Sequence, residues 1–198
     1  MFYSVGGNFY TERDLKDCNF KSLGKNVRIA KNCTIIGVEN IKIGNNVRID
    51  NYCTLVAPGN GYISLGSYIH IASYCFLLAP HGIIMEDFSS ISTAVQIYTN
   101  TDDYSGEYLT NPTIPKKYSA PNLSGEVLLK RHVIIGSGTV ILPNVVIGEG
   151  VAIGALSLVK KSLEEWGVYA GVPVKKIISR SKNLLCLEAE LLSDIAKL

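Results

Sequence analysis

Between Leu129 and Val159 an aliphatic residue returns every six positions, at Leu129, Ile135, Ile141, Ile147, Ile153 and Val159. Gly136, Gly148 and Gly154 each follow such a slot directly, and Val133, Thr139, Val145, Val151 and Ser157 fill the fifth place of successive units with small or β-branched side chains. A period of six fits neither the 3.6 residues of a helical turn nor the simple alternation of a strand. It suits a short strand, a corner and another short strand, with three units closing one triangular turn of about eighteen residues. The aliphatic slots then stack inside, and glycine fills corners where a side chain or a positive φ is costly. The pattern predicts a parallel β-helix.

That architecture must be reconciled with composition. A chain of 198 residues, 47% hydrophobic and with 18 glycines, has enough apolar material for one domain with small appendages. A net charge of only +2 gives no basic stripe for nucleic acid, and no apolar run of eighteen residues is present to span a bilayer. Met1 to Tyr10 lack the basic start and apolar middle of a secretory signal. The cysteines number five, and Cys33, Cys53 and Cys75 each occupy the small fifth slot of a unit, which reads as reduced core packing rather than a disulfide frame. A cytoplasmic protein is expected.

Along the chain, Thr11 to Asp14 have capping-box spacing and precede Leu15, Cys18 and Phe20, so a short helix over 11–20 is expected to plug one end of the solenoid. Coils are expected over 23–97 and 127–162. They start at Leu23-Gly24 and Ile29-Ala30, slip by two residues around Gly37 to Asn40, and resume at Ile43, Ile49, Leu55, Leu65, Ile71, Leu77, Ile91 and Ile97. Ala57 to Tyr62 and Ala79 to Asp87 break the phase and read as surface loops. The largest interruption, 98–126, carries Asp102, Asp103, Tyr104, Pro112, Pro115, Lys116, Lys117, Tyr118 and Pro121, with neither helical period nor alternation. A β-helix needs no such excursion, and its aromatics and prolines favour an ordered loop with a binding or catalytic role. After the coils, 163–198 holds Trp166, Tyr169, the Gly171-Val172-Pro173 turn, a basic group of Lys175, Lys176, Arg180 and Lys182, and a helical stripe of Leu184, Leu187, Leu191 and Ile195. The stripe is expected to lie on the solenoid or on a neighbouring subunit, and Lys160 and Lys161 extend the basic group into a site for a phosphorylated ligand.

The hexapeptides, the long loop and the terminal Gly171-Val172-Pro173-Val174-Lys175-Lys176-Ile177 segment resemble the hexapeptide-repeat acyltransferases over nearly the whole chain. The resemblance implies a left-handed β-helix, against the usual right-handed crossover, assembled as a homotrimer with acyl-CoA in the groove between subunits. Asp102-Asp103-Tyr104-Ser105-Gly106, Pro112 to Pro115 and Ile135 to Val174 look closest to N-acyltransferases of dTDP-4-amino-4,6-dideoxyglucose, enzymes of surface polysaccharide (O-antigen) biosynthesis, with acetyl-CoA or another acyl-CoA as co-substrate and no metal. On that likeness Ser137, Gly138 and Ala155 meet the pantetheine arm. Pro173 is counted among the CoA-binding residues, and Lys160, Lys161, Lys175 and Lys176 are nearest the phosphates. In the loop, Asp103, Tyr104, Lys116 and Tyr118 become candidates for the sugar nucleotide.

The choice of acceptor follows from proton chemistry. A sugar hydroxyl needs a general base, which O-acetylating relatives usually supply as a loop histidine, and this loop has none. An amine with a pKa near about 8 is partly neutral already and attacks a thioester without prior deprotonation. Asp102 matches the aspartate that contacts the acceptor amine in the amino-sugar enzymes, where a carboxylate orients the nitrogen and stabilises its growing positive charge. Of the three histidines, His70 and His132 read as packing or surface residues. His81, four residues after Leu77, is expected beside Asp102, five after Ile97, on successive coils. The amino-sugar enzymes carry an acidic residue at the position of His81, so a sugar O-acetyltransferase with His81 as base is the alternative. A metal-dependent hydratase on the same solenoid and a purely structural β-helix are the non-transferase alternatives. Against the first, the histidines lack a close paired spacing.

Overall fold

The structure, a computed structural model, describes residues 9–120 and 123–197, so Pro121 and most of the Met1 to Tyr10 segment lie outside it. The chain winds as a parallel β-solenoid with three walls. The first wall stacks Ser22–Leu23, Ile41–Ile43, Ile63–Leu65, Ile83–Met85, Val127–Leu129 and Val145–Ile147. The second stacks Arg28–Ile29, Arg48–Ile49, His70–Ile71, Ser90–Ile91, Ile134–Ile135, Ala152–Ile153 and Gly167–Gly171. The third stacks Thr34–Ile36, Thr54–Val56, Phe76–Leu78, Gln96–Tyr98, Val140–Ile141 and Leu158–Val159. Strands this short cannot stand alone. Each is held by ladder bonds to the coils above and below and by the apolar residue it sends inward.

The six slots that define the repeat are all at most 4% exposed. Burial of a side chain of this size is worth about 1.5–3 kcal/mol, and the stack repeats that gain in every coil. The fifth-place cysteines remain free thiols. Each donates to a carbonyl of the next coil: Cys33 to Asp50 at 3.0 Å, Cys53 to Ala72 at 3.0 Å and Cys75 to Ser92 at 3.1 Å. Thr139 continues the ladder with a bond to the Gly154 carbonyl at 3.1 Å.

Glycine serves the corners through close approach. A Cβ at Gly44 would lie 2.5 Å from the Gly66 carbonyl oxygen of the next coil. The left-handed φ values fall mainly on other residues. At the corner between the first and second walls they belong to Asn26, Asn46, Tyr68, Phe88, His132 and Trp166 as well as Gly150. At the corner between the second and third they belong to Tyr52, Tyr74, Ala94 and Leu156 as well as Gly138. Such a conformation costs a bulky residue free energy, and stacking offsets it. Tyr68 and Phe88 lie 4.7 Å apart at 2°, Phe88 and His132 5.3 Å apart at 16°.

Two departures from the sequence reading concern the wall. Ala79 to Asp87 is not a loop throughout, because Ile83–Met85 is a first-wall strand and Met85 fills the slot between Leu65 and Leu129 with no exposure. The coils also run on past 162. Gly167–Gly171 pairs in parallel with Ala152–Ile153, with Tyr169 in the slot, before Val174–Ser179 folds back antiparallel on it. A helix closes the N-terminal end. Glu12–Asp17 has the full capping box, Thr11 Oγ1 accepting from Asp14 N at 3.2 Å and Asp14 Oδ2 from Thr11 N at 2.9 Å, and it buries Leu15 in the core. Leu184–Ile195 is helical as the stripe predicts, but in the single chain Leu187, Leu191 and Ile195 stay exposed. Glu188 is its anchor to the solenoid, reaching the Arg131 guanidinium and His132 Nε2.

Candidate active site

The third corner, where each third-wall strand hands on to the next first-wall strand, carries the irregular segments. The long insertion leaves after Gln96–Tyr98 and rejoins the solenoid at Val127–Leu129. Its root is an antiparallel pair, Asn100–Thr101 with Leu123–Ser124. A second closure ties Leu109 N to the Tyr118 carbonyl at 3.0 Å, next to a 3-10 turn over Lys116–Tyr118. Between them the loop stands out from the solenoid. Tyr104 is 87% exposed, and Asp102, Lys116 and Tyr118 are also exposed.

The root brings the two candidate catalytic segments together. Leu78 and Tyr98 are register partners on adjacent coils, and His81 N donates to Thr99 Oγ1 at 3.0 Å, three residues before Asp102. His81 and Asp102 thus share one corner, as their spacing predicts, although their side chains form no hydrogen bond with each other. The two aspartates differ. Asp103 Oδ2 accepts from Ser105 N at 3.2 Å and Ser105 Oγ at 2.6 Å, so it holds the turn of the loop. Among the described residues the Asp102 carboxylate has no hydrogen-bond or ion-pair partner and is open to a ligand.

Behind this corner lies a contact the sequence reading missed. Tyr62, Gly82 and Glu126 occupy equivalent places before Ile63, Ile83 and Val127 on three successive coils. A Cβ at Gly82, where φ is +98°, would lie 2.5 Å from the Tyr62 ring, so the missing side chain is what lets the ring cross. Tyr62 thereby reaches past Gly82 to hydrogen-bond Glu126, at the point where the insertion returns. The column becomes legible only once the coil ending at Met85 is recognised.

The expected CoA residues divide between two corners. Ser137, Gly138 and Ala155 stack along the corner between the second and third walls, where Leu156 N bonds the Ser137 carbonyl at 2.8 Å and Gly138 N the Thr93 carbonyl at 2.9 Å. The Val172-Pro173 turn caps the same corner, since Gly154 N bonds the Tyr169 carbonyl at 2.8 Å and Lys175 and Lys176 pair with Ala170 and Tyr169. Lys160 and Lys161 are not with them. They follow Leu158–Val159 at the third corner, across the third wall from Ala155. The other histidines are occupied elsewhere. His70 Nε2 lies 2.8 Å from Asp50 on the outer second wall, and His132 Nε2 lies 2.7 Å from Glu188. Among the described residues no cluster of three or more His, Cys, Asp or Glu side chains is placed to hold a metal ion, and no helix is long and apolar enough to cross a membrane.

Comparison with known proteins bears on this geometry. The bacterial transferase hexapeptide family (six repeats) matches residues 126–161. The dTDP-4-amino-4,6-dideoxy-D-glucose acyltransferase of Escherichia coli is 45% identical over 181 residues, covering 91% of this chain and 93% of that protein. The N-acyltransferase AntD of Bacillus cereus, in complex with dTDP and 3-hydroxybutyryl-CoA, superimposes with a TM-score of 0.91 at 47% identity, covering 96% of this chain and 99% of AntD. A single-residue AntD variant with dTDP-4-amino-4,6-dideoxyglucose and coenzyme A gives 0.90 at 48%, covering 95% and 98%. With likeness of that extent along both chains, this chain belongs to the hexapeptide-repeat acyltransferase family.

Proposed function

We propose that the chain is an acyl-CoA-dependent N-acyltransferase whose acceptor is the amine of a nucleotide-linked amino-deoxysugar of the dTDP-4-amino-4,6-dideoxyglucose class. The observation that carries this reading is identity of 45% and 48% across more than nine-tenths of this chain to relatives with that substrate in their names. The free carboxylate of Asp102 at the loop root supports it, and so does an insertion without histidine. In the reaction, the neutral amine attacks the thioester carbonyl carbon, the new C–N bond forms, and the C–S bond breaks. The departing CoA thiolate takes the proton released by the nitrogen, so no strong base is required. Asp102 orients the amine and stabilises the positive charge that grows on it. Asp103, Tyr104, Lys116 and Tyr118 are assigned to the sugar nucleotide. Ser137, Gly138, Ala155 and Pro173 are assigned to the pantetheine arm, and Lys160, Lys161, Lys175 and Lys176 to the phosphates of CoA.

A homotrimer is part of the same proposal, as are a cytoplasmic location, a place in surface polysaccharide synthesis and acetyl as the transferred group. The test is release of CoA thiol, followed with a thiol reagent, when acyl-CoA is mixed with the amino sugar nucleotide or with its 4-hydroxy counterpart. Release with the amine alone is expected. Faster release with the hydroxyl sugar assigns the chain to O-acylation, with His81 as base. No release with either would remove the transferase reading.

A further inference from the structure

Asp102 has no partner of its own among the described residues, so the root of the insertion decides where its carboxylate stands. The strand Asn100–Thr101 ends immediately before it and pairs with Leu123–Ser124, two exposed residues. The returning chain must therefore be fastened to something stiffer. Backbone bonds do part of this, Gly125 N donating to the Thr99 carbonyl and Val127 N to the Gly82 carbonyl, both at 3.0 Å. Between them stands Glu126. Its carboxylate accepts from the Tyr62 hydroxyl, and among the described residues this is the one side-chain hydrogen bond that residues 123–126 make.

The bond spans two coils, because Ile63–Leu65 and Val127–Leu129 pair with Ile83–Met85 on its opposite edges. Two strand spacings are about 9.5 Å, a distance that takes a long side chain from each end. The coil between them offers Gly82, buried and at φ +98°, and the ring passes over it. The ring thus lies on the residue next to His81, whose own N–H is held by Thr99 Oγ1 at 3.0 Å. The hydrogen bond to Glu126, and burial after it, push the phenol above its ordinary pKa, so it stays a donor at neutral pH. We propose that Tyr62 is a positioning residue for acyl transfer: by holding Glu126 across Gly82 it clamps the returning strand of the insertion to the coil of His81, and so sets Asp102 for its encounter with the amine. This rests on the reading of Asp102 as the group that meets the amine. Displacing such a group by about 1 Å costs on the order of 100-fold in rate, so a looser root should be felt in turnover before it is felt in binding.

The experiment compares thiol-release kinetics of the wild type, Tyr62→Phe, Glu126→Ala, the double variant, and Glu126→Gln, whose amide oxygen still accepts from the phenol. Thermal melts confirm that each is folded. Tyr62→Phe and Glu126→Ala are each expected to lower kcat by about tenfold, with KM for acyl-CoA and for the sugar nucleotide changed by no more than about twofold. The double variant should fall no further than either single one, and in an Asp102→Asn background Tyr62→Phe should cost about twofold at most. Glu126→Gln should stay within about threefold of wild type. Amide exchange in Tyr62→Phe should rise at 99–103 and 123–126 and not along the coils. A raised KM for the sugar nucleotide at unchanged kcat overturns the proposal in favour of direct contact between Tyr62 and that substrate. Losses that multiply in the double variant overturn it, as does a Tyr62→Phe enzyme equal to wild type in kcat and exchange, and in both cases the acylation reading stands. If the wild type releases no thiol with the amino sugar nucleotide, the acylation reading fails, and exchange at 99–103 decides whether Tyr62 holds the loop root.

Discussion

Asp102 and Asp103 are adjacent carboxylates with different surroundings, and that difference decides what a substitution should do. Asp103 is engaged by Ser105, so its loss disturbs the loop, whereas Asp102 has no partner to release among the described residues. If Asp102 meets the amine as attack proceeds, Asp102→Asn should lower kcat by roughly tenfold to a thousandfold, about 1.4–4 kcal/mol of transition-state stabilisation, with acyl-CoA binding retained. His81→Ala should cost less with an amine acceptor. Steady-state thiol-release kinetics on both variants check this, and the reverse order would point to a hydroxyl acceptor and a histidine base. Their shared corner was legible from offsets alone, because Leu77 and Ile97 are inward-facing register partners. The Tyr62–Gly82–Glu126 column was not. Met85 replaces the usual branched aliphatic residue and is followed by Glu86 rather than glycine, which hid the coil that aligns the three.

At the scale of elements, the C-terminal helix depends on one side chain. Burial would raise the Glu188 carboxyl, but hydrogen bonds from His132 and Arg131 outweigh it and hold the group below its ordinary value. Arg131 is in turn braced by Asp87 Oδ2 at 3.3 Å, while its backbone N–H donates to Glu86 at 3.0 Å. A carboxyl whose folded pKa is depressed adds stability above its unfolded value of about 4.3, and that stability is lost as pH falls through the folded value. Helix 184–195 should therefore detach in acid before the solenoid unfolds. Glu188→Gln should detach it at neutral pH at a cost of about 1–3 kcal/mol. Amide hydrogen exchange confined to those residues is the measurement, and unchanged protection in the variant would mean that other contacts hold the helix. The helix and its N-terminal counterpart were readable from a leucine stripe and a capping box. Its anchor was not, since nothing local links Glu188 to a histidine 56 positions earlier. The last second-wall strand was missed for a related reason, as Tyr169 fills a slot that the repeat reserves for an aliphatic residue.

At the scale of the whole molecule, the outer third wall shows Ile36, Val56, Phe76, Leu78, Tyr98, Val140 and Leu158 beside Thr34, Thr54 and Gln96, whereas the outer second wall shows Arg28, Arg48, His70 and Ser90 in its first four strands and turns apolar only at Ile134, Ala152 and Val168. An apolar face of this extent calls for cover, and a cyclic trimer built on it has a chemical consequence. The two corners flanking the third wall are the one with Ser137 and Ala155 and the one with Asp102, Lys160 and Lys161. Around a three-fold axis facing that wall, the first corner of one subunit adjoins the second corner of the next. The two pairs of lysines, apart within one chain, then converge on one ligand, and acyl-CoA meets Asp102 only across the boundary. Sedimentation should accordingly give three times the chain mass of 21.5 kDa. Complementation gives the sharper test. Asp102→Asn lacks one half of each site, and Ala155→Trp, with an indole in the path of the pantetheine arm, lacks the other. Each alone should keep about a tenth of wild-type activity or less. After co-expression in equal amounts, random mixing pairs an intact Asp102 corner with an intact Ala155 corner at one boundary in four, so activity should return to about a quarter of wild type. If both halves of the site came from the same chain, every mixed trimer would carry only damaged sites, and activity would not rise above that of the single variants.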